Sequence, residues 1–370
     1  MNDLTLYINN DCNLACTYCN VEKGGIRLNW GEKIQSIILD IVSRPGERKR
    51  IWIMWGEPLI HWDFLSNLID YINLLKNEYP QKKIYITAIP TNGTIYKKEV
   101  YEKLAKNNIE LKFSVDTFFN RIDTNRIHVK VKKFDLYKVA SQNIKKYQSI
   151  YWFGPRIWIT ISEDNVEEIH NLIKYLIERW EIRSFYFCFV FGKSYSKEFL
   201  DLFQKEYIKI FKLYEQYLEK WIEIFPIEDV IIGILKKESL SNINCCWLWK
   251  EIIVWYNGYI YSCDWLAGKW ETDMDYIIWN IDTWIKWEKL WNWLKENIEK
   301  FKSKTNFREK LETEKLLCLK KWINTKEEQQ ISYKIYETLY KIPHILIKNL
   351  SARHINYLKH KYNILSGDIK

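Results

Sequence analysis

A chain of 370 residues, 47% hydrophobic and 28% charged, can bury a large core and reads as a soluble globular protein, either one α/β unit with an appendage or two domains. It holds no run of about 18 apolar residues that would cross a membrane, and MNDLTLYINN lacks the parts of a secretory signal, so the eight cysteines are expected in a reducing, cytoplasmic setting, serving metals or catalysis rather than disulfides. The net charge of +9 is uneven, since residues 301–370 hold 15 Lys and Arg against 7 Asp and Glu.

In chain order, the first 225 residues alternate two patterns. The apolar runs LTLYIN (4–9), RIWIMW (50–55), KIYITAI (83–89), IELKFSV (109–115), RIWITIS (156–162) and SFYFCFVF (184–191) predict buried strands. Amphipathic stretches such as 32–42, 64–76, 166–180 and 197–218 predict helices between and after them. Strands each followed by a helix make a parallel sheet, doubly wound or a barrel, with the functional loops at the carboxyl ends of the strands.

The loop after the first strand, YINNDCNLACTYCNVEKGG (7–25), places Cys12, Cys16 and Cys19 at gaps of three and two residues. Three thiolates on a short loop can hold three irons of a [4Fe–4S] cluster and leave the fourth iron open. A zinc site or unliganded thiols are the alternatives. With Tyr18 before the last cysteine, the motif resembles that of the radical S-adenosylmethionine (SAM) superfamily. The turn after the second strand, MWGEPLIHWDF (54–64), resembles that family's Gly-Gly-Glu-Pro element, with Trp55 replacing the first glycine. The resemblance implies a partial (β/α)6 barrel holding a [4Fe–4S] cluster with SAM on the open iron. It further implies cleavage of SAM to a 5′-deoxyadenosyl radical that abstracts a substrate hydrogen, and SAM contacts from Gly56, Glu57 and Pro58. Glu57 would offer its carboxylate to the SAM ammonium. At the next strand ends, Thr91 and Asn92 in TNGT, and Ser114 and Asp116 in SVD, match positions that contact SAM in relatives. Thr160 or Ser162 is assigned to the ribose, and Asn165 stands where an N-cap for the 166–180 helix belongs. For each hydroxyl, a helix cap or loop hydrogen bond is the alternative. Cys188 reads as a buried core thiol.

Beyond residue 225 the pattern changes. VIIGIL (230–235) and EIIVWYNGYIYSCDW (251–265) predict short strands, the second a hairpin turning at Asn257-Gly258. Cys246, Gly258 and Cys263 resemble the entry hairpin of the SPASM/twitch extension, which implies one auxiliary [4Fe–4S] cluster on Cys246, Cys263 and Cys318. Cys245 is a fourth ligand or a bystander, and zinc at the four thiols is the alternative. The expected organisation is a barrel over 1–225, a twitch-like domain over 226–320 and a basic helical tail over 321–370. The tail suits an acidic peptide, a redox protein or nucleic acid, or is a solvated helical face. The 19 Trp form no repeat and read as packing residues.

The expected function is radical SAM chemistry on a ribosomally made peptide, such as a crosslink or epimerisation, with a flavodoxin or ferredoxin as electron donor and no membrane partner. Strand one begins near residue 4, so a leader peptide would be read by the barrel, the tail or a separate protein. A small-molecule dehydrogenase or cyclase, a nucleic-acid-modifying enzyme and a structural zinc protein stay open.

Overall fold

A computed structural model describes residues 3–19, 21, 23–118, 125–131, 134–190, 195–225, 227–235, 251–261 and 277–280, with nine positions between 334 and 358. In chain order the elements are β1 (Asp3–Tyr7), β2 (Leu14–Cys16), α1 (Glu32–Ser43), β3 (Arg48–Met54), α2 (Trp62–Glu78), β4 (Lys83–Ile86), β5 (Ile89–Thr91), α3 (Lys98–Lys106) and β6 (Leu111–Ser114). There follow β7 (Arg126–His128), α4 (Leu136–Tyr151), β8 (Arg156–Ile161), α5 (Ile169–Trp180), β9 (Ser184–Phe189), α6 (Lys197–Tyr217), β10 (Glu223–Phe225), α7 (Ile227–Leu235), β11 (Glu251–Val254), β12 (Tyr259–Tyr261) and β13 (Ile277–Asn280).

All six predicted strands form. They pair in parallel in chain order: β1 with β3, β3 with β4, β5 with β6, β6 with β8, and β8 with β9. β4 and β5 are successive parts of one strand path, interrupted at Thr87 and Ala88. That path passes the sheet from one half of the barrel to the other. Each path is followed by a helix, α1 to α6, giving the expected partial (β/α)6 barrel.

Period two decides which side chains face the helices. Ile157, Ile159 and Ile161 of β8 are fully buried, while the alternating Trp158 and Thr160 are only partly buried and face the lumen. The helices answer with apolar stripes at helical spacing, as in Ile34, Ile37, Ile38, Ile41 and Val42 of α1. Helix starts are fixed by local oxygens: Asp135 accepts from the Lys138 amide at 2.9 Å, and Ser196 from the Phe199 amide at 3.1 Å.

The C-terminal part corrects one expectation. VIIGIL belongs to the helix α7, whose Ile227, Val230 and Ile231 are buried at helical spacing; a short apolar run does not by itself distinguish strand from helix. The predicted hairpin is present. β11 and β12 are antiparallel, and the Gly258 amide donates to the Trp255 carbonyl at 2.8 Å with Gly258 at φ +86°, a conformation that favours glycine. β11 also pairs in parallel with β1, so the hairpin extends the barrel sheet at its first strand. Cys245, Cys246, Cys263 and Cys318 lie outside the described residues. Among the described tail positions, Leu350 and Leu358 are buried in the same core as the barrel, and Gln204 of α6 donates to Thr338 at 3.0 Å. Part of the tail therefore packs instead of forming a solvated face. Among the described residues no helix is long and apolar enough to cross a membrane.

Candidate active site

The cysteine loop leaves β1 at the carboxyl end of the sheet and is tied down by β2, which pairs antiparallel with β7 so that Cys16 lies opposite Arg126. Cys12 and Cys16 are partly buried and Cys19 is exposed. The Cys19 amide donates to the Cys16 carbonyl at 3.1 Å, closing a turn between these two cysteines. The Cys12 sulfur accepts from the Leu14 amide at 3.4 Å and from the Asn92 side chain at 3.7 Å. Burial pushes the Cys12 thiol up to about 11, with the Glu57 carboxylate adding to the effect; burial raises Cys16 as well.

Among the described residues no three Cys, His, Asp or Glu side chains converge closely enough to hold one metal ion. A single Zn²⁺ needs its thiolates at about 2.3 Å from one centre. A [4Fe–4S] cluster takes each thiolate at a different iron and accepts a wider spread.

The turn after β3 supports one side of this loop. Trp55 and Gly56 both have left-handed backbones, at φ +67° and +60°. A Cβ at Gly56 would stand 2.2 Å from Asn9 Oδ1 and 2.3 Å from the Asp11 carbonyl, so only glycine fits against the cysteine loop. The Glu57 amide then donates to the Asp11 carbonyl at 2.7 Å. The Glu57 carboxylate is fully buried and accepts from the Leu59 amide (3.2 Å), the Thr91 hydroxyl (2.8 Å) and the Asn92 amide (2.7 Å). Burial still raises it to about 7. Pro58 opens the single turn Pro58–His61 that Glu57 caps. Asn92 closes the circuit by donating to Asn13 at 2.8 Å.

The other side is held through Asp116. Tyr18 donates its hydroxyl to Asp116 Oδ2, and the Thr160 amide donates to Asp116 Oδ1 at 2.7 Å. Arg126, buried, stands 3.6 Å from Asp116 Oδ2 and donates to the Ser114 carbonyl at 2.6 Å. Burial opposes the guanidinium's charge, and Tyr18, Asp116 and Cys16 outweigh it, holding Arg126 well above its usual range. Asn165 occupies the expected N-cap position, but its side chain makes no cap hydrogen bond. Its Nδ2 donates to the carbonyls of Asp116 (3.0 Å) and Thr160 (2.8 Å), and its Oδ1 accepts from the Ser162 amide at 2.8 Å. The Thr160 hydroxyl lies 3.5 Å from the Cys188 sulfur.

The predicted residues thus fall into two connected sets, Gly56, Glu57, Pro58, Thr91 and Asn92 on one side, and Tyr18, Ser114, Asp116, Thr160 and Ser162 on the other. Arg126, Asn9 and Asn13 escaped sequence reasoning. Arg126 carries no local signal, because its role exists only once β7 meets β2. The Asn9 amide group is fully buried beside Gly56, with neither atom hydrogen bonded among the described residues.

The family model for the radical SAM superfamily matches residues 6–176. These residues make up a radical SAM domain. The chain is 26% identical over 271 residues to the uncharacterized protein MJ0907 of Methanocaldococcus jannaschii, covering 72% of this chain and 86% of that one. Among solved structures it resembles anSMEcpe with bound AdoMet, at TM-score 0.67 and 18% identity over 97% of this chain and 98% of the other. A second anSMEcpe structure, with bound AdoMet and Cp18Cys peptide, matches at TM-score 0.61 and 20% identity over 78% and 79%. Streptococcus suis SuiB bound to precursor peptide SuiA matches at TM-score 0.52 and 17% identity, over 77% of this chain and 64% of SuiB. At these identities the structural likenesses speak to the fold.

The radical SAM fold implies a [4Fe–4S] cluster and SAM, and the residues present fit both. Three thiols share one braced loop at the carboxyl end of the barrel, and the Asn9 amide beside Gly56, without a partner among the described residues, supplies polar atoms suited to a ligand.

Proposed function

We propose that this protein is a radical SAM peptide maturase: it cleaves SAM reductively and abstracts a hydrogen from a ribosomally made peptide. The observation that carries the chemistry is the three-cysteine loop held between the Glu57 and Asp116 networks. Cys12, Cys16 and Cys19 would hold the [4Fe–4S] cluster, leaving one iron for SAM. When bound, the cluster supplies the electron that splits SAM into methionine and a 5′-deoxyadenosyl radical. The chain's own residues fix where this happens. Glu57 joins the turn after β3 to the loop after β5, Asn92 donates toward Cys12, and Tyr18, through Asp116, fixes the end of the loop to β6 and β8.

The peptide assignment is supported by solved relatives of the same fold that hold a peptide, anSMEcpe and SuiB. An auxiliary [4Fe–4S] cluster on Cys246, Cys263 and Cys318, with or without Cys245, and a flavodoxin or ferredoxin as reductant belong to the same proposal.

The test is iron content and reductive SAM cleavage in the full chain and its Cys12→Ala, Cys16→Ala, Cys19→Ala triple variant. Loss of about four irons per chain and of 5′-deoxyadenosine formation is expected. Survival of both in the triple variant would overturn the proposal. A short open reading frame beside this gene, whose peptide product speeds 5′-deoxyadenosine formation, would identify the substrate class.

A further inference from the structure

The lumen below the two networks holds a lysine that neither of them uses. Lys112 is on β6, two residues before Ser114 and so about 7 Å deeper in the barrel. Period two sets its side chain on the lumen face with Ser114, and the register places Arg156 of β8 beside it. The side chain is only 8% exposed.

Its ammonium sits between two rings, 4.7 Å from the centre of Trp158 on β8 and 4.1 Å from that of Tyr186 on β9. It makes no hydrogen bond or ion pair with a carboxylate among the described residues. Other cations of the lumen face are paired. Arg50 donates to Asp3 at 2.8 Å, and Arg156 donates to Glu110 and, at 2.8 Å, to the Tyr186 hydroxyl.

Burying an ammonium without a counter-charge is costly, and ring faces recover only part of the lost hydration. Burial, followed by the neighbouring Arg156, lowers Lys112 to about 8. The adjacent Cys188 thiol is pushed up by burial to about 11, so it is neutral at pH 7 and supplies no negative charge.

The neighbouring side chains on the lumen face are not fully buried. Trp158, Thr160, Tyr186 and Cys188 keep some exposure on the lumen face, while Ile157, Ile159 and Phe185 on the opposite face are fully buried. The indole N–H of Trp52, on the neighbouring wall of β3, is buried with no acceptor among the described residues.

We propose that Lys112 determines substrate specificity, its ammonium at the floor of the barrel receiving a carboxylate of the substrate. On the peptide reading, on which this rests, the carboxylate is an Asp or Glu side chain or a chain terminus. One ammonium flanked by ring faces matches a monoanion. A phosphate dianion would need a second cation, and Arg156 is already engaged by Glu110 and Tyr186.

The experiment titrates the full chain, loaded with iron, sulfide and SAM, with acetyl-Gly-Glu-Gly-amide, acetyl-Gly-Gln-Gly-amide and glutarate, followed by saturation-transfer NMR and calorimetry. The Glu peptide is expected to bind about tenfold more tightly than the Gln peptide, the worth of one charge-assisted contact. Lys112→Met is expected to abolish that preference and Lys112→Arg to keep part of it. Lys112→Gln replaces Lys112→Met should that variant not fold. Equal binding of the two peptides to the unaltered protein, a preference that survives loss of the ammonium, or no binding of any probe would each overturn the proposal. Lys112-dependent binding of glutarate with neither peptide bound would uphold the carboxylate site and sink the peptide reading.

Discussion

The indole of Trp55 stands edge-on to that of Trp255, with ring centroids 4.8 Å apart and planes at 65°. Tyr7 completes the group, 5.1 Å from Trp55 and 4.3 Å from Trp255. This contact explains how a tryptophan occupies φ +67° in a turn whose family counterpart has glycine. A left-handed backbone costs a non-glycine residue about 1–2 kcal/mol, and each aromatic pair returns about 0.5–1.5 kcal/mol beyond its burial. The hairpin that carries Trp255 therefore braces the turn that carries Gly56 and Glu57.

Replacing Trp55 by glycine is expected to relieve the backbone and lose the ring. The net result should be a destabilisation of about 1–3 kcal/mol in urea titration, because loss of the large side chain outweighs the relief. Combined with Trp255→Ala, the two losses should be less than additive by at least about 0.5 kcal/mol. Strict additivity would show that the rings do not support each other.

Glu57→Gln keeps the shape of the side chain and turns an amide N–H₂ toward at least one of the donors now satisfied. A stability loss of about 1.5–3 kcal/mol is expected, with weaker SAM binding as the Thr91–Asn92 loop shifts and with iron retained. In the iron-free chain the pH profile checks the cause. The raised folded-state value of Glu57 means that its contribution to stability is complete below its ordinary 4.5 and is lost as pH rises through about 7. The Gln variant should lack that part of the slope.

Arg126→Met leaves Asp116 buried, still bonded to Tyr18 and Thr160 but without the guanidinium. Removing one partner of a buried pair costs about 3–5 kcal/mol, and the loop end at Cys16 and Tyr18 should loosen with it. Asp116→Asn in the Arg126→Met background should recover part of the loss in thermal melts. No recovery would place the defect in packing rather than charge.

At the proposed auxiliary site, Cys246→Ala or Cys263→Ala should each lower iron content while leaving the SAM-binding cluster in place, and should lower the melting temperature, because metal held between distant segments contributes to folding. Zinc in place of iron at these thiols would reject an auxiliary cluster. Spectra of the reduced Cys245→Ala protein with and without substrate would tell an open iron from a filled one.

Much of the barrel is legible in the amino-acid order alone. The six strands are continuous apolar runs, the helices carry their own stripes, and the motifs at residues 12–19 and 56–58 fall at strand ends because the strands precede them directly. VIIGIL misleads because six apolar residues suit either period. Asn165 misleads because a residue before a helix has more than one set of partners to choose from, and here the carbonyls of Asp116 and Thr160 take its amide.

The amino-acid order by itself determined the alternation of elements, the loop that carries three thiols and the hairpin turn at Gly258, since each is encoded between near neighbours through side-chain period, spacing and backbone freedom. Only the tertiary structure decided that Glu57 spends its carboxylate on the loop of Thr91 and Asn92, that Arg126 sits buried behind Cys16, that Trp255 supports Trp55, and that Lys112 lies between two rings. These depend on which strands become neighbours, and burial then sets how much a charge, a donor or a ring at each position costs or contributes.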